Sequence, residues 1–204
     1  MSAQVHCQRS NAGLSGDVVA TTDPKGNVTT NTYDANRRLT STVAPNGLIT
    51  RSTYDANGQL IQTQQSVNGA VLRTANTTYT LTGKPATTTD ANNNTTRQAY
   101  DALDRVTVVT DPTGRVTTYG YDALSRQISV SNPAIQTTPL LQKAYTPDGL
   151  LASLTDANSH TTSFAYDGLD RLATTTYPLG STEAFTYDAD NNLLTRRTRS
   201  APLE

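Results

Sequence analysis

Large, small and turn-forming positions recur along this chain at a nearly fixed interval. Eight tyrosines mark the period: Tyr33, Tyr54, Tyr79, Tyr100, Tyr121, Tyr145, Tyr166 and Tyr187, with steps of 21, 25, 21, 21, 24, 21 and 21 residues. The residue before each is small or β-branched, as in Thr32, Thr53, Ala99, Gly120 and Ala165. Side chains alternate across a strand, so these small residues face opposite to the tyrosines. Six residues after the tyrosine stand Leu39, Leu60, Val106, Leu151, Leu172 and Leu193, with Pro85 and Gln127 as exceptions. The pattern predicts a tyrosine ladder and a leucine ladder on neighbouring strands, packing repeat on repeat. A period in the twenties marks an array of one supersecondary unit.

Two turns punctuate each period. Seven residues before the tyrosine stand Gly26, Gly47, Asn93, Gly114, Ser159 and Gly180, twice preceded by Asp-Pro, at Asp23-Pro24 and Asp111-Pro112. Proline presets the first central residue of a turn, and glycine suits its end. Four residues after the tyrosine stand Arg37, Gly58, Gly83, Asp104, Ser125, Gly149, Asp170 and Asn191, most of which tolerate positive φ or cap a turn. Two turns per period leave two strands of ordinary length, so the unit is a β-hairpin. The fold class is all-β: tandem hairpins forming one continuous curved antiparallel sheet, without long helices. Ala12, Gly16 and Val18 continue the columns upstream, as a degenerate first repeat without its tyrosine. Ser66 to Asn76 and Asn132 to Gln142 break the period by four and three residues, which predicts longer loops on the rim.

Composition sharpens this picture. Apolar residues make up 35% of the 204 residues, there is no Trp, and Thr is roughly a fifth of the chain. Thr and Tyr suit a pleated, half-wet surface, and a net charge of −1 argues against a disordered, self-repelling chain. The array therefore has a thin core. If the ladder tyrosines are fully buried, cutting Tyr100 or Tyr121 to Ala costs about 3–5 kcal/mol. The near-neutral charge gives no footprint for nucleic acid; Arg196, Arg197 and Arg199 read as a solvated strand end. No apolar run is long enough to span a membrane as a helix.

Candidate chemistry is sparse. His6 and Cys7 fall in a ragged terminus, and His160 falls in a turn. No catalytic constellation and no metal site can be assembled from them, and no cofactor is implied. Asp188-Ala189-Asp190-Asn191-Asn192, Asp90-Ala91-Asn92-Asn93-Asn94 and Asp55-Ala56-Asn57 begin like calcium loops, but in the first of these the EF-hand pattern fails, because Leu193 stands where glycine is required. Such residues also cap turns. Asp34, Asp55, Asp101, Asp122, Asp167 and Asp188 follow ladder tyrosines; recurrence over six repeats argues for a structural job. Asn27, Asn76 and Asn94 match glycosylation acceptors, as chance would supply in so Thr-rich a chain.

Segments such as Gly114-Arg115-Val116-Thr117-Thr118-Tyr119-Gly120-Tyr121-Asp122-Ala123-Leu124 and Tyr166-Asp167-Gly168-Leu169-Asp170-Arg171-Leu172 resemble the YD repeat of the Rhs family. The resemblance covers residues 10 to about 198 and implies a sheet that spirals into a hollow shell. Such shells occur in bacterial polymorphic toxins, insecticidal toxin complexes and teneurins, and in the bacterial members enclose a C-terminal toxin domain. Residues 1–9 read as a ragged start, 10–198 as eight repeats plus the degenerate one, and 199–204 as a tail, with Leu203-Glu204 a vector scar. The expected function is a structural wall segment, not an enzyme, in a secreted or cell-surface bacterial parent. The expected partners are the rest of the shell and its toxin, with edge-to-edge self-association of the chain. The rival reading is an adhesion module for carbohydrate or a cell-surface partner, using Tyr119, Phe164, Tyr177 and Phe185, three of which share the ladder face.

Overall fold

The structure, a computed structural model, describes residues 9–12, 16–135 and 138–200. His6, Cys7 and Leu203-Glu204 lie outside the described residues. Among those described there are eighteen strands and no helix, and every pairing whose register is resolved is antiparallel. The chain divides into two units, residues 1–98 and 99–204.

The first unit holds β1 (Arg9–Ala12), β2 (Val18–Thr22), β3 (Val28–Tyr33), β4 (Leu39–Val43), β5 (Ile49–Tyr54), β6 (Leu60–Val67), β7 (Ala70–Tyr79) and β8 (Pro85–Thr89). Strand β9 (Thr95–Tyr100) carries the chain into the second unit. That unit continues with β10 (Val106–Thr110), β11 (Val116–Tyr121), β12 (Gln127–Ser131), β13 (Leu141–Tyr145), β14 (Leu151–Asp156), β15 (Thr161–Tyr166), β16 (Leu172–Thr176), β17 (Thr182–Tyr187) and β18 (Leu193–Ser200). Within each unit consecutive strands pair, so each is an up-and-down meander of the hairpin type the sequence predicts.

One turn type recurs at most of the connections between strands. In Asp23–Asn27 the first N–H bonds the fifth carbonyl at 2.9 Å, and the fourth N–H bonds the first carbonyl at 3.0 Å. Asp34–Arg38 repeats this arrangement at 3.0 Å and 3.0 Å. The fourth residue has positive φ in each: Gly26 at 84° and Arg37 at 63°. This is a tight turn closed by a left-handed residue, a common three-residue hairpin loop. Aspartate recurs at the first place because its carboxylate caps the loop. Asp23 Oδ1 accepts from the amides of Lys25 and Asn27, and Asp34 Oδ1 from those of Asn36 and Arg38.

Seven of the pairings that end at a ladder tyrosine carry a bulge. The register shifts between Thr32 and Tyr33, and likewise at Tyr54, Tyr79, Tyr121, Tyr145, Tyr166 and Tyr187. The tyrosine then faces the residue six places on, as Tyr33 faces Leu39 and Tyr166 faces Leu172. Bulges strengthen local twist, and here they recur once per hairpin.

Among the described residues the expected core is absent rather than thin. No hydrophobic residue among those described is buried; the buried residues are Ser66, Asn132 and Thr175. A single sheet layer offers no second layer to cover an apolar face. The ladder leucines stay wet, with Leu39 at 36% and Leu193 at 52% exposure. The first insertion does not form the expected longer loop. Asn68 and Gly69, at φ 50° and 81°, make a two-residue turn, so the extra residues lengthen β6 and β7. Such turns match the twist of the flanking strands. The second insertion does lengthen a connection, from Ser131 to Leu141.

Candidate functional site: a tyrosine, aspartate and arginine ladder

The tyrosines end their strands and reach back to the preceding hairpin. The Tyr33 hydroxyl donates to the Val18 carbonyl at 2.9 Å, Tyr54 to Leu39 at 2.9 Å and Tyr79 to Leu60 at 2.9 Å. In the second unit Tyr121 donates to Val106 at 2.9 Å, Tyr145 to Gln127 at 3.1 Å, Tyr166 to Leu151 at 2.9 Å and Tyr187 to Leu172 at 3.0 Å. The leucine column thus serves its neighbour through the main chain. That is why Gln127 can stand in it without losing the bond. These are local strand-edge bonds that tie hairpin to hairpin, where a packed core would otherwise do so.

A second column was missed in the sequence. Five residues after the tyrosine stand Arg38, Arg105, Arg126 and Arg171. Each pairs with the turn aspartate of its own repeat: Arg38 Nε with Asp34 Oδ2 at 2.6 Å, Arg105 Nε with Asp101 at 2.7 Å, Arg126 Nε with Asp122 at 2.7 Å and Arg171 Nε with Asp167 at 2.8 Å. Each guanidinium also lies over the tyrosine of the next repeat, 4.8 Å from Tyr54, 4.7 Å from Tyr121, 4.4 Å from Tyr145 and 4.8 Å from Tyr187. That is cation–π range. Three also donate to the next turn: Arg38 to the Asp55 carbonyl at 3.4 Å, Arg105 to Asp122 at 3.1 Å and Arg171 to Asp188 at 2.8 Å. Arg126 Nη1 finds no acceptor among the described residues, and its neighbour is the repeat carrying the second insertion. The signal available was an Arg column at fixed spacing from Tyr-Asp.

The side chain from the preceding repeat also borders the positive-φ column, where Arg105 donates to Ser125 Oγ at 3.1 Å and Arg171 to Asn191 Oδ1 at 3.0 Å. A β-carbon on Gly58 would sit 3.3 Å from Arg38 Nη1, and one on Gly83 would sit 3.1 Å from Gln59 Nε2. The turn glycines Gly26, Gly47 and Gly114, at φ 84°, 79° and 84°, meet no such neighbour and serve by φ alone; Gly149 and Gly180 are also left-handed, at 91° and 81°. In the degenerate first repeat the charges are exchanged: Asp17 holds the arginine place and pairs with Arg37 of the next turn at 2.8 Å.

At several turns the aspartate is favoured in its charged form. The Arg38 amide, against some burial, lowers the Asp34 pKa below its usual value, and the Arg105 side chain does so first at Asp101. At Asp23 and Asp188 the side chains of Asn27 and Asn192 are the main cause. Asp188 Oδ1 accepts from the amides of Asp190 and Asn192 and Oδ2 from Asn192 Nδ2, so this calcium-like loop spends its acceptors on its own turn. Among the described residues no three His, Cys, Asp or Glu side chains are grouped to share a metal ion. His160 ends the turn that Asp156 begins, 3.3 Å from its carboxylate.

The aromatic residues outside the ladder are not brought into one platform. Tyr119, Phe164 and Phe185 stand on β11, β15 and β17, opposite Val130, Thr175 and Arg196. Tyr177 instead begins a turn, and with His160, Pro178 and Leu179 lines an open cleft of about 390 Å³.

Hairpins tied edge to edge by a recurring tyrosine, with an Asp and Arg pair in four of the eight repeats, define a repeat protein whose recurring side chains bond between its own hairpins. The chain belongs to the RHS repeat family: the family model for the RHS repeat matches residues 14–49, 79–116, 100–134 and 145–182, more than half the chain. Among solved structures, the chain is similar to the crystal structure of TcdB2-TccC3-Cdc42, at 16% identity and TM-score 0.50, covering 94% of this chain and 12% of that one. It also matches the Tc holotoxin pore of Photorhabdus luminescens carrying a TccC3 mutation, at 17% identity and TM-score 0.49, again covering 94% of this chain and 12% of that one. The chain thus spans a small part of the length of these proteins. No curated protein matches it.

Proposed function

We propose that this chain is a stretch of wall in an RHS-repeat shell, and that the shell encloses a toxic domain within a longer, secreted bacterial protein. The observation that carries this reading is the ladder itself. Its tyrosine hydroxyls, arginines and most of its turn carboxylates are engaged in bonds between or within hairpins, which supports a role in building a wall. Such a wall acts by excluding other molecules. Nearly neutral Thr-rich faces suit that task, because they offer a passing chain little to adhere to. The carbohydrate-adhesion reading has less behind it, since its aromatics stand on separate strands.

The test uses the parent protein. Deleting whole repeats, for example residues 101–121, should breach the wall and make the enclosed domain sensitive to protease while the rest stays folded. An enclosed domain equally protected after deletion would overturn the reading. Saturable glycan binding lost on Phe164→Ala would favour the adhesion module instead.

A further inference from the structure

The chain defines the seat of a guanidinium four times with its own arginines. Arg105 is the fullest case: its cation meets Asp101 Oδ2 at 2.6–2.7 Å, the Asp122 carbonyl at 3.1 Å and the Tyr121 ring at 4.7 Å. Between the repeats of Tyr54 and Tyr79 the anionic and aromatic parts recur, but the arginine place holds Gln59. The Gln59 amide donates across to the Gly83 carbonyl at 3.1 Å and does not turn back to its own aspartate. Asp55 accepts two amides, from Asn57 and Gln59, both on Oδ1. No donor among the described residues reaches Asp55 Oδ2, and no cation lies over the Tyr79 ring.

Every other aspartate that follows a ladder tyrosine has this oxygen filled. Asp34, Asp101, Asp122 and Asp167 take arginine there, and Asp188 takes Asn192. Around Asp55 the result is an open cleft of about 510 Å³, lined by Asp55, Asn57, Gln59, Tyr79, Thr80 and Leu81. Thr80 stands in the column where Asp122 offers its carbonyl to Arg105.

We infer that this cleft docks an arginine side chain of a partner polypeptide. A guanidinium is planar and forked, so it lies on a ring face and meets a carboxylate edge at once; an ammonium does neither as well. The cleft is larger than one guanidinium, which leaves room for the backbone that carries it. Other ladder positions do not repeat the combination. Near Tyr33, Asp34 is taken by Arg38 and Asp17 by Arg37. The repeat before Tyr166 has Thr146 and Leu150 in place of the charged pair. The inference does not depend on what the shell encloses, because it concerns one edge of the sheet.

The experiment is a titration of the ¹⁵N-labelled chain with acetyl-Gly-Arg-Gly-amide and with its lysine counterpart, followed by amide shifts. The arginine peptide should give saturable shifts at Asn57, Gln59 and Thr80, and bind roughly fivefold or more tightly than the lysine peptide. Gln59→Arg supplies the cation from within and should weaken peptide binding by about tenfold or more. Asp55→Asn keeps the Oδ1 turn cap and removes the charge, and should weaken it similarly. Shifts absent at millimolar peptide, equal for lysine, or unchanged in both variants would each overturn the inference.

Discussion

Replacing Tyr121 by Phe removes one hydroxyl and leaves the ring under Arg105. The hydroxyl donates to the Val106 carbonyl at 2.9 Å in a partly buried setting, and the ring lies 4.7 Å from the guanidinium. A hydrogen bond of this kind contributes about 0.5–1.5 kcal/mol net, and its loss leaves a main-chain carbonyl that water can partly reach. The expected cost is therefore about 1 kcal/mol. With a urea slope of about 1–3 kcal/mol per molar, the unfolding midpoint should fall by roughly 0.3–1 M. Tyr121→Ala also removes a half-buried ring and its cation contact. Half of a full aromatic burial, plus about 0.5–1 kcal/mol for the cation, brings the total to about 3 kcal/mol. That is the low end of the value expected for a fully buried ring, because no hydrophobic residue among those described is buried. The control is Tyr119→Phe, two residues away on the same face, whose hydroxyl makes no bond to another described residue; it should change stability by less than about 0.5 kcal/mol. Equal effects at Tyr119 and Tyr121 would refute the reasoning, since only the ladder bond distinguishes them.

Acid should loosen the array. Asp34, Asp101 and Asp23 have folded pKa values below their unfolded ones. Their stabilisation is thus complete above the unfolded value near 4 and is lost as pH falls through the folded value. Thermal midpoints should be flat from pH 7 to 5 and drop below pH 4, and Asp101→Asn should shrink that drop. Gly83→Ala should destabilise by about 1–2 kcal/mol in urea unfolding, because φ is 84° and the new methyl would press on Gln59 at 3.1 Å. Asp170→Gly should stabilise by about 0.5–1 kcal/mol, since a non-glycine residue there holds φ at 61°.

The period was legible because a hairpin repeat writes its turns and its alternation into the sequence. The tyrosine spacing defined the unit, and the positive-φ residues Arg37, Asp104, Ser125 and Asn191 stood where a second turn was needed. Those are local properties, decided by φ preference and strand alternation within about five residues. Contacts between one repeat and the next were not legible, because they join residues some fifteen to twenty apart. That the leucine column works through its carbonyl, that Arg105 lies over Tyr121, and that Asp17 and Arg37 exchange the usual charges all depend on bulge and register. The sequence likewise suggested a thin core, and only the single-layer packing showed that no apolar side chain among the described residues is buried. Asp55 shows the division most clearly. In sequence it is one of six equivalent aspartates; in three dimensions it alone keeps a carboxylate oxygen without a donor, because the side chain of Gln59 bonds forward to Gly83. Composition and spacing select the repeat, but which partner each polar group meets is settled by the side chains that the neighbouring hairpin brings to the edge.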